Sequence, residues 1–243
     1  MNYHWNWTFF FDVTDDGERY YQWILSGLGW TVTVALFSLA IALLLGSALG
    51  VIRTTPKKWL VWIGDTYVEL FRNIPLIVQL FLWFNVFPEL LPKAAGDFMK
   101  QDLPDVIPAI LGLGLYTAAR IAEQVKSGIL SLPRGQTNAG LAMGLTLPQV
   151  YQYVLLPMAY RIILPTLTSE SMNIFKNSSV TYAVGVLELY FQYKQIIEKT
   201  NQVLEITIVV TAIYFILAFS VNRIMALIES RTRVPGYITG GAK

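Results

Sequence analysis

The sequence predicts an all-α protein that crosses a membrane with about five helices and carries a short cytoplasmic helix between the third and the fourth. Three observations lead there. Of the 243 residues, 54% are hydrophobic and only 14% are charged, whereas a soluble domain carries roughly a quarter charged residues. Residues 20–52 contain no Asp, Glu, Lys or Arg, and about 20 apolar residues already suffice for one helical crossing. The mean hydropathy is +0.49, and a soluble core able to bury so long an apolar run would need a far larger protein around it.

The elements follow in order. Residues 1–19 are expected to lie outside the membrane. They have no basic leading region, and Asp12, Asp15, Asp16 and Glu18 precede the first apolar run, unlike a cleavable signal. The aromatic residues Tyr3, Trp5, Trp7, Phe9, Phe10 and Phe11 fit either a segment lying along the headgroup layer or a loosely packed tail. Span one, 20–52, carries Ser38, Ala42, Gly46 and Gly50 at four-residue spacing, a ridge of small residues that lets another helix come close. Span two, 60–87, holds Asp65, Glu69, Arg72 and Pro75 in its first half, so a kink or break is expected at the proline. Span three, 106–127, is clean until Arg120, Glu123 and Lys126. Span four, 160–187, is interrupted by Pro165, Glu170 and Lys176, and span five, 206–222, is uncharged. The transmembrane domain is thus 20–228, with a cytoplasmic loop at 127–157 and a cytoplasmic tail at 229–243.

Basic residues set the orientation. Arg53, Lys57, Lys58, Lys126, Arg134, Arg223, Arg231, Arg233 and Lys243 fall on one side. Arg19, Lys93, Lys100, Lys194 and Lys199 fall on the other, diluted by Asp97, Asp102, Asp105, Glu188, Glu198 and Glu205. The first group marks the cytoplasm, so the N-terminus is outside and the C-terminus inside. A net charge of +2 is too mild for nucleic acid. Without cysteine there is no disulfide or thiolate site. No GxxxxGK[ST], HExxH or GxSxG run occurs, and the lone His4 reads as a surface residue. No catalytic constellation or metal site is evident, and no internal repeat of the kind found in many secondary transporters.

The loop is the most patterned stretch. Pro133 and Gly135 end one helix, Thr137 or Asn138 can cap a short new one, and Ala139, Gly140, Ala142 and Gly144 alternate with Leu141, Met143 and Leu145. Small residues admit a partner's surface while the large ones act as knobs, the pattern of a docking helix for a cytoplasmic protein. The segment Asn138-Ala139-Gly140, then Gly144, then Val154-Leu155-Leu156-Pro157 resembles the EAA signature of bacterial ATP-binding-cassette importer permeases. The runs Glu69-Leu-Phe-Arg72-Asn-Ile-Pro75-Leu-Ile-Val-Gln79 and Pro133-Arg134-Gly135-Gln136 are similar to the polar amino-acid uptake branch.

That resemblance implies a permease subunit of the bacterial inner membrane, without catalytic activity or a cofactor of its own. Its expected partners are two cytoplasmic ATPase subunits that bind the ATP, a second homologous permease, an extracytoplasmic amino-acid-binding protein and membrane lipid. Asn138, Ala139, Gly140, Gly144 and Pro157 would carry ATPase coupling. The first of these is commonly Glu in the family; Asn138 removes the carboxylate a salt link needs and keeps a hydrogen bond. A self-sufficient channel or ion-coupled carrier would leave this loop without a use, and a pore-less scaffold would leave the charged residues inside the spans without one.

Ionisable groups inside spans cost about 2.5–3.5 kcal/mol on insertion scales, which makes Arg72 and Glu170 candidates for the substrate path together with Lys176, Asn177 and Ser178. Arg72 can pair with Glu69 one turn back or meet a substrate carboxylate. Glu170 and Lys176, six residues apart, point to different faces, and Lys176 either binds an anion or snorkels. Where the branch commonly has Lys-Asp, this chain has Lys176-Asn177 followed by Ser178-Ser179. The Asn form is similar to glutamate/aspartate uptake permeases. It removes a negative charge that would repel an acidic substrate, although Asn177 can also serve only to pack against the partner permease.

Overall fold

A computed structural model describes residues 4–101 and 103–232. Tyr3, Asp102, Arg233 and Lys243, used in the expectations above, lie outside the described residues. Among those residues every element is helical apart from one isolated bridge between Val13 and Arg19. A 3-10 turn, Trp7–Phe11, precedes α1 (Tyr20–Ile52) and α2 (Lys58–Asn73). Then come α3 (Leu76–Leu90), which contains a π-turn at Leu82–Val86, and α4 (Lys93–Gln101). Next come α5 (Val106–Leu130), α6 (Arg134–Ala142), a single helical turn at Leu147–Val150, α7 (Leu156–Asn177), α8 (Leu189–Thr200) and α9 (Val203–Thr232).

Helices α1, α5 and α9 are long and apolar enough to span, and α2 and α3, broken at Ile74–Pro75, form a fourth candidate when taken together. Ile74 sits at φ −101°, ψ 128° between them, as steric conflict with the Pro75 ring requires of the preceding residue. The expected fourth span is not one helix. Helix α7 keeps Pro165 inside, stops at Asn177, and passes through the 3-10 turn Ser178–Val184 to Gly185 at φ +88°. Upstream, Thr146 and Gln149 form a reciprocal capping box, and a π-turn at Tyr151–Leu155 leads into α7.

The backbone divides into two compact units. The first contains the described residues of 4–39, 75–114 and 173–220. Its core joins Phe9, Tyr20, Trp23 and Ile24 to Leu189, Ile196, Ile206 and Val210. The N-terminal aromatic segment is therefore anchored, with Phe9 buried while Trp5, Trp7 and Phe11 stay exposed. The backbone N–H of Asn6 donates to the Glu205 carboxylate at 2.8 Å, and Lys199 pairs with Asp15 at 3.0 Å. Helix α8 lies hard against α1, since a Cβ on Gly27 would fall 2.9 Å from Leu189 Cα. Glu188 caps α8 and is fully buried. Its carboxylate accepts from the N–H groups of Tyr190 and Phe191 at 2.9 and 2.8 Å, and from the Tyr214 hydroxyl at 2.9 Å.

The second unit contains the described residues of 40–74, 115–172 and 221–232. Here the small-residue ridge of α1 meets α5. A Cβ on Gly46 would come within 2.8 Å of the Ala118 carbonyl oxygen and of Ile121 Cβ, and one on Gly50 within 2.6 Å of Val125 Cβ. Ala42, Ala118, Ile121 and Val125 continue into a core with Val150, Leu155, Ala159, Ile163 and Leu167.

Two outcomes follow from these packings. Gly46→Leu must push α1 off α5 and should destabilise by about 1–3 kcal/mol, whereas Gly29→Ala, with nothing within 4 Å, should be neutral or stabilising. Thermal midpoints in one detergent compare them, and equal midpoints would refute the close approach. Glu188 accepts from the N–H groups of Tyr190 and Phe191 and from the Tyr214 hydroxyl, and a buried donor left without an acceptor costs about 1–3 kcal/mol. Glu188→Leu should therefore lower the midpoint, and Glu188→Gln, which keeps an acceptor, should lower it less; a midpoint unchanged in Glu188→Leu would clear the cap of this role.

Candidate functional site

Five charged residues of the second unit gather from α2, α5 and the position just after α1. Arg53, just beyond α1, has a side chain only 6% exposed. Its Nε donates to Asp65 at 2.6 Å and its Nη1 to Glu123 at 2.9 Å. Gly64 makes this possible, because a Cβ there would lie 2.5 Å from Arg53 Cγ. Lys126 reaches the same Asp65 oxygen at 3.2 Å, and Arg72 reaches Glu123 at 3.4 Å. The result is one chain of alternating charge, Lys126–Asp65–Arg53–Glu123–Arg72. Each carboxylate has a cation beside it, the arrangement that makes charge tolerable among apolar helices. Helix α2 turns its charged face to this chain and leaves Trp59, Trp62, Ile63 and Leu70 exposed on the other.

Beside this chain lies a second pair. Arg120 on α5 donates through Nε and Nη2 to the two oxygens of Glu170 on α7, at 2.9 and 3.0 Å. Glu170 is buried while the Arg120 side chain is 42% exposed. A fork-to-fork pair of this kind fixes direction as well as distance. Two cavities open onto these groups. One of about 370 Å³ is lined by Arg53, Val68, Glu69, Arg72, Asn73 and Glu123. The other, about 200 Å³, is lined entirely by polar side chains: Arg72, Arg120, Glu123, Gln124 and Glu170. Arg72 and Glu123 face both.

Among the sequence-predicted path residues, Arg72 and Glu170 thus line one cavity. The expected pairing of Arg72 with Glu69 is corrected, since its partner is Glu123 on α5. Glu170 is neutralised by Arg120 rather than by Lys176, in keeping with the six-residue separation. Sequence reasoning assigned no role to Arg120, Glu123 or Gln124. Their signal was available as polar residues at i, i+3 and i+4 of an otherwise apolar span, which puts them on one helix face. Lys176, Asn177 and Ser178 fall in the first unit. Lys176 is exposed and Asn177 half-buried. Ser178 is buried, with its hydroxyl donating to the Phe175 carbonyl at 2.8 Å. That bond closes the end of α7, so the hydroxyl serves the backbone. Among the described residues no group of His, Cys, Asp and Glu is arranged to hold a metal.

The loop forms the expected short helix with one correction: α6 begins at Arg134, behind Pro133, and not at Thr137 or Asn138. Asn138 and Ala139 are exposed, and so are the knobs Leu141 and Met143. Gly140 faces inward, where a Cβ would stand 3.0 Å from Val150 Cγ2. Gly144 lies at φ +84°, and behind it the Leu145 N–H donates to the Gly140 carbonyl at 3.1 Å, closing the helix end in a left-handed turn. Pro157 is exposed in the first turn of α7, where a missing N–H costs little.

Paired charges among helices long enough to span, with a short exposed helix in the loop, mark a protein embedded in a membrane. Residues 42–234 match the family described as binding-protein-dependent transport system inner membrane component, and the chain belongs to that family. It is a transport subunit and not an enzyme. The glutamate/aspartate import permease protein GltJ of Escherichia coli K12 is 44% identical over 99% of this chain and 100% of its own length. The probable glutamine ABC transporter permease protein GlnM of Bacillus subtilis is 32% identical over 85% of this chain and 92% of its own. A crystal structure of an amino acid ABC transporter with histidines superposes with a TM-score of 0.72 and 27% identity, over 87% of this chain and 95% of that one.

The turn at Gly144 supplies a separable test of the loop. A β-branched residue there must adopt the left-handed region at a cost of about 1–2 kcal/mol, while Asn tolerates it. Transport should be lost in Gly144→Val and kept in Gly144→Asn at similar membrane abundance. Equal loss in both would show that the side-chain space, and not the backbone, is what matters.

Proposed function

We propose that the chain is a permease subunit of an ATP-driven importer for acidic amino acids, glutamate and aspartate, in a bacterial inner membrane. The observation that carries the reading is the 44% identity, spread over the whole chain, to a glutamate/aspartate import permease. Asn177 supports it: an amide in place of a carboxylate leaves hydrogen bonding intact and removes repulsion of an anion. Arg72, Glu170, Lys176 and Asn177 serve the path, and Ser178 acts on it by closing the end of α7. Five crossings fit the orientation set by the basic residues, with 1–19 outside, a transmembrane domain at 20–228, and the 127–157 loop and the 229–243 tail in the cytoplasm.

In this assembly a homologous permease completes the pathway and a soluble binding protein delivers substrate from outside. Two ATPase subunits bind the ATP and receive α6 in a groove through Asn138, Ala139 and Gly144, with Gly140 seating the helix against Val150 and Pro157 setting the return of the chain. Closure of the ATPases then shifts the permease pair between outward and inward states.

Uptake of labelled glutamate by cells lacking this chain, with and without it restored, tests the reading. Restoration that needs ATP and is competed best by aspartate is the expected result. Uptake independent of the chain, or competed best by glutamine or arginine, overturns the acidic specificity.

A further inference from the structure

We infer that the 200 Å³ cavity lined by Arg72, Arg120, Glu123, Gln124 and Glu170 is a transient site for the acidic amino acid, with Arg120 as its specificity-determining residue. The inference rests on the acidic amino-acid reading above. An acidic amino acid presents two carboxylates and one ammonium, and the cavity presents matching groups for all three.

The two guanidiniums differ in how firmly they are held. Arg72 touches Glu123 through Nη1 alone, at 3.4 Å, and its side chain is 49% exposed. That contact exceeds the 2.7–2.9 Å of a strong charge-assisted bond, so an arriving carboxylate takes Arg72 with little competition. Arg120 is clamped by Glu170 on one edge, yet its side chain remains 42% exposed and lines the cavity. A second carboxylate can share its fork without leaving Glu170 unpaired.

Gln124 supplies the third group. Its Oε1 atom is buried and has no hydrogen-bond partner among the described residues. An orphaned acceptor beside two carboxylates is costly when empty, and it is relieved by a donor such as an ammonium. Glu123, once Arg72 turns to the substrate, is the second acceptor. The cavity wall carries two positive and two negative side chains. Specificity therefore comes from where the guanidiniums stand and not from net charge. Glutamine satisfies Arg72 and Gln124 equally well and leaves Arg120 without its second carboxylate, which discriminates between the two ligands.

Equilibrium binding of labelled glutamate and glutamine to the complete nucleotide-free assembly in nanodiscs, without the binding protein, tests the site. Wild type should prefer glutamate by tenfold or more. Arg120→Met should abolish that preference, and Arg120→Met/Glu170→Met, which keeps apolar volume in place of the pair, should do the same without an unpaired carboxylate. Gln124→Leu should weaken both ligands several-fold and leave their ratio unchanged, a split that general loss of structure would not produce. Absent binding by wild type, or an unchanged glutamate preference in the double variant, overturns the site. If the wild-type chain still restores glutamate uptake in cells, only the site falls; if it does not, the acidic reading falls with it.

Discussion

The close approach of α1 to α5 in the second unit is the constraint from which the rest of that unit follows. In lipid no hydrophobic effect presses helices together, so contact depends on how near the backbones can come. Gly46 and Gly50 on one helix meet Ala118 and Val125 on the other, at separations a side chain would not permit. Arg53 stands one turn beyond Gly50, and the short separation brings its guanidinium to Glu123 on α5. From there the ion chain reaches Asp65 on α2, and through it Lys126. A bulky residue on the ridge would move the arginine as well as the helix.

Helix α2 is polar toward its neighbours and apolar toward the outside, the reverse of a soluble amphipathic helix. Val68 and Gly64 are buried, and Asp65 and Arg72 face the ion chain, while Trp59, Trp62 and Leu70 are exposed. Charge inside a membrane protein is stable when its partners are protein, and the helix directs it there. The same logic explains why Glu170 is both deeply buried and doubly bonded to Arg120.

Much of this was legible in the sequence. The charge-free runs gave α1 and α9, Pro75 marked the break, and the small residues of α1 marked a surface of close contact. Other features were not legible, for physical reasons. The end of α7 was misjudged because Ser178, Ser179 and Thr181 bond to carbonyls three residues back and so stabilise a 3-10 turn that composition does not announce. The ion partners were missed because they lie 50 to 70 positions apart, and only packing brings them together. Local spacing favoured Glu69 for Arg72, and the fold supplied Glu123 instead.

The cluster has a further property when its charges are added. Arg53, Arg72, Arg120 and Lys126 stand against Asp65, Glu69, Glu123 and Glu170, four of each sign. A transmembrane voltage acts on net charge, with about 2.3 kcal/mol per elementary charge per 100 mV. A balanced set that shifts as a body does no net electrical work. The field therefore exerts no net force on this cluster as it translates, however many charges it holds.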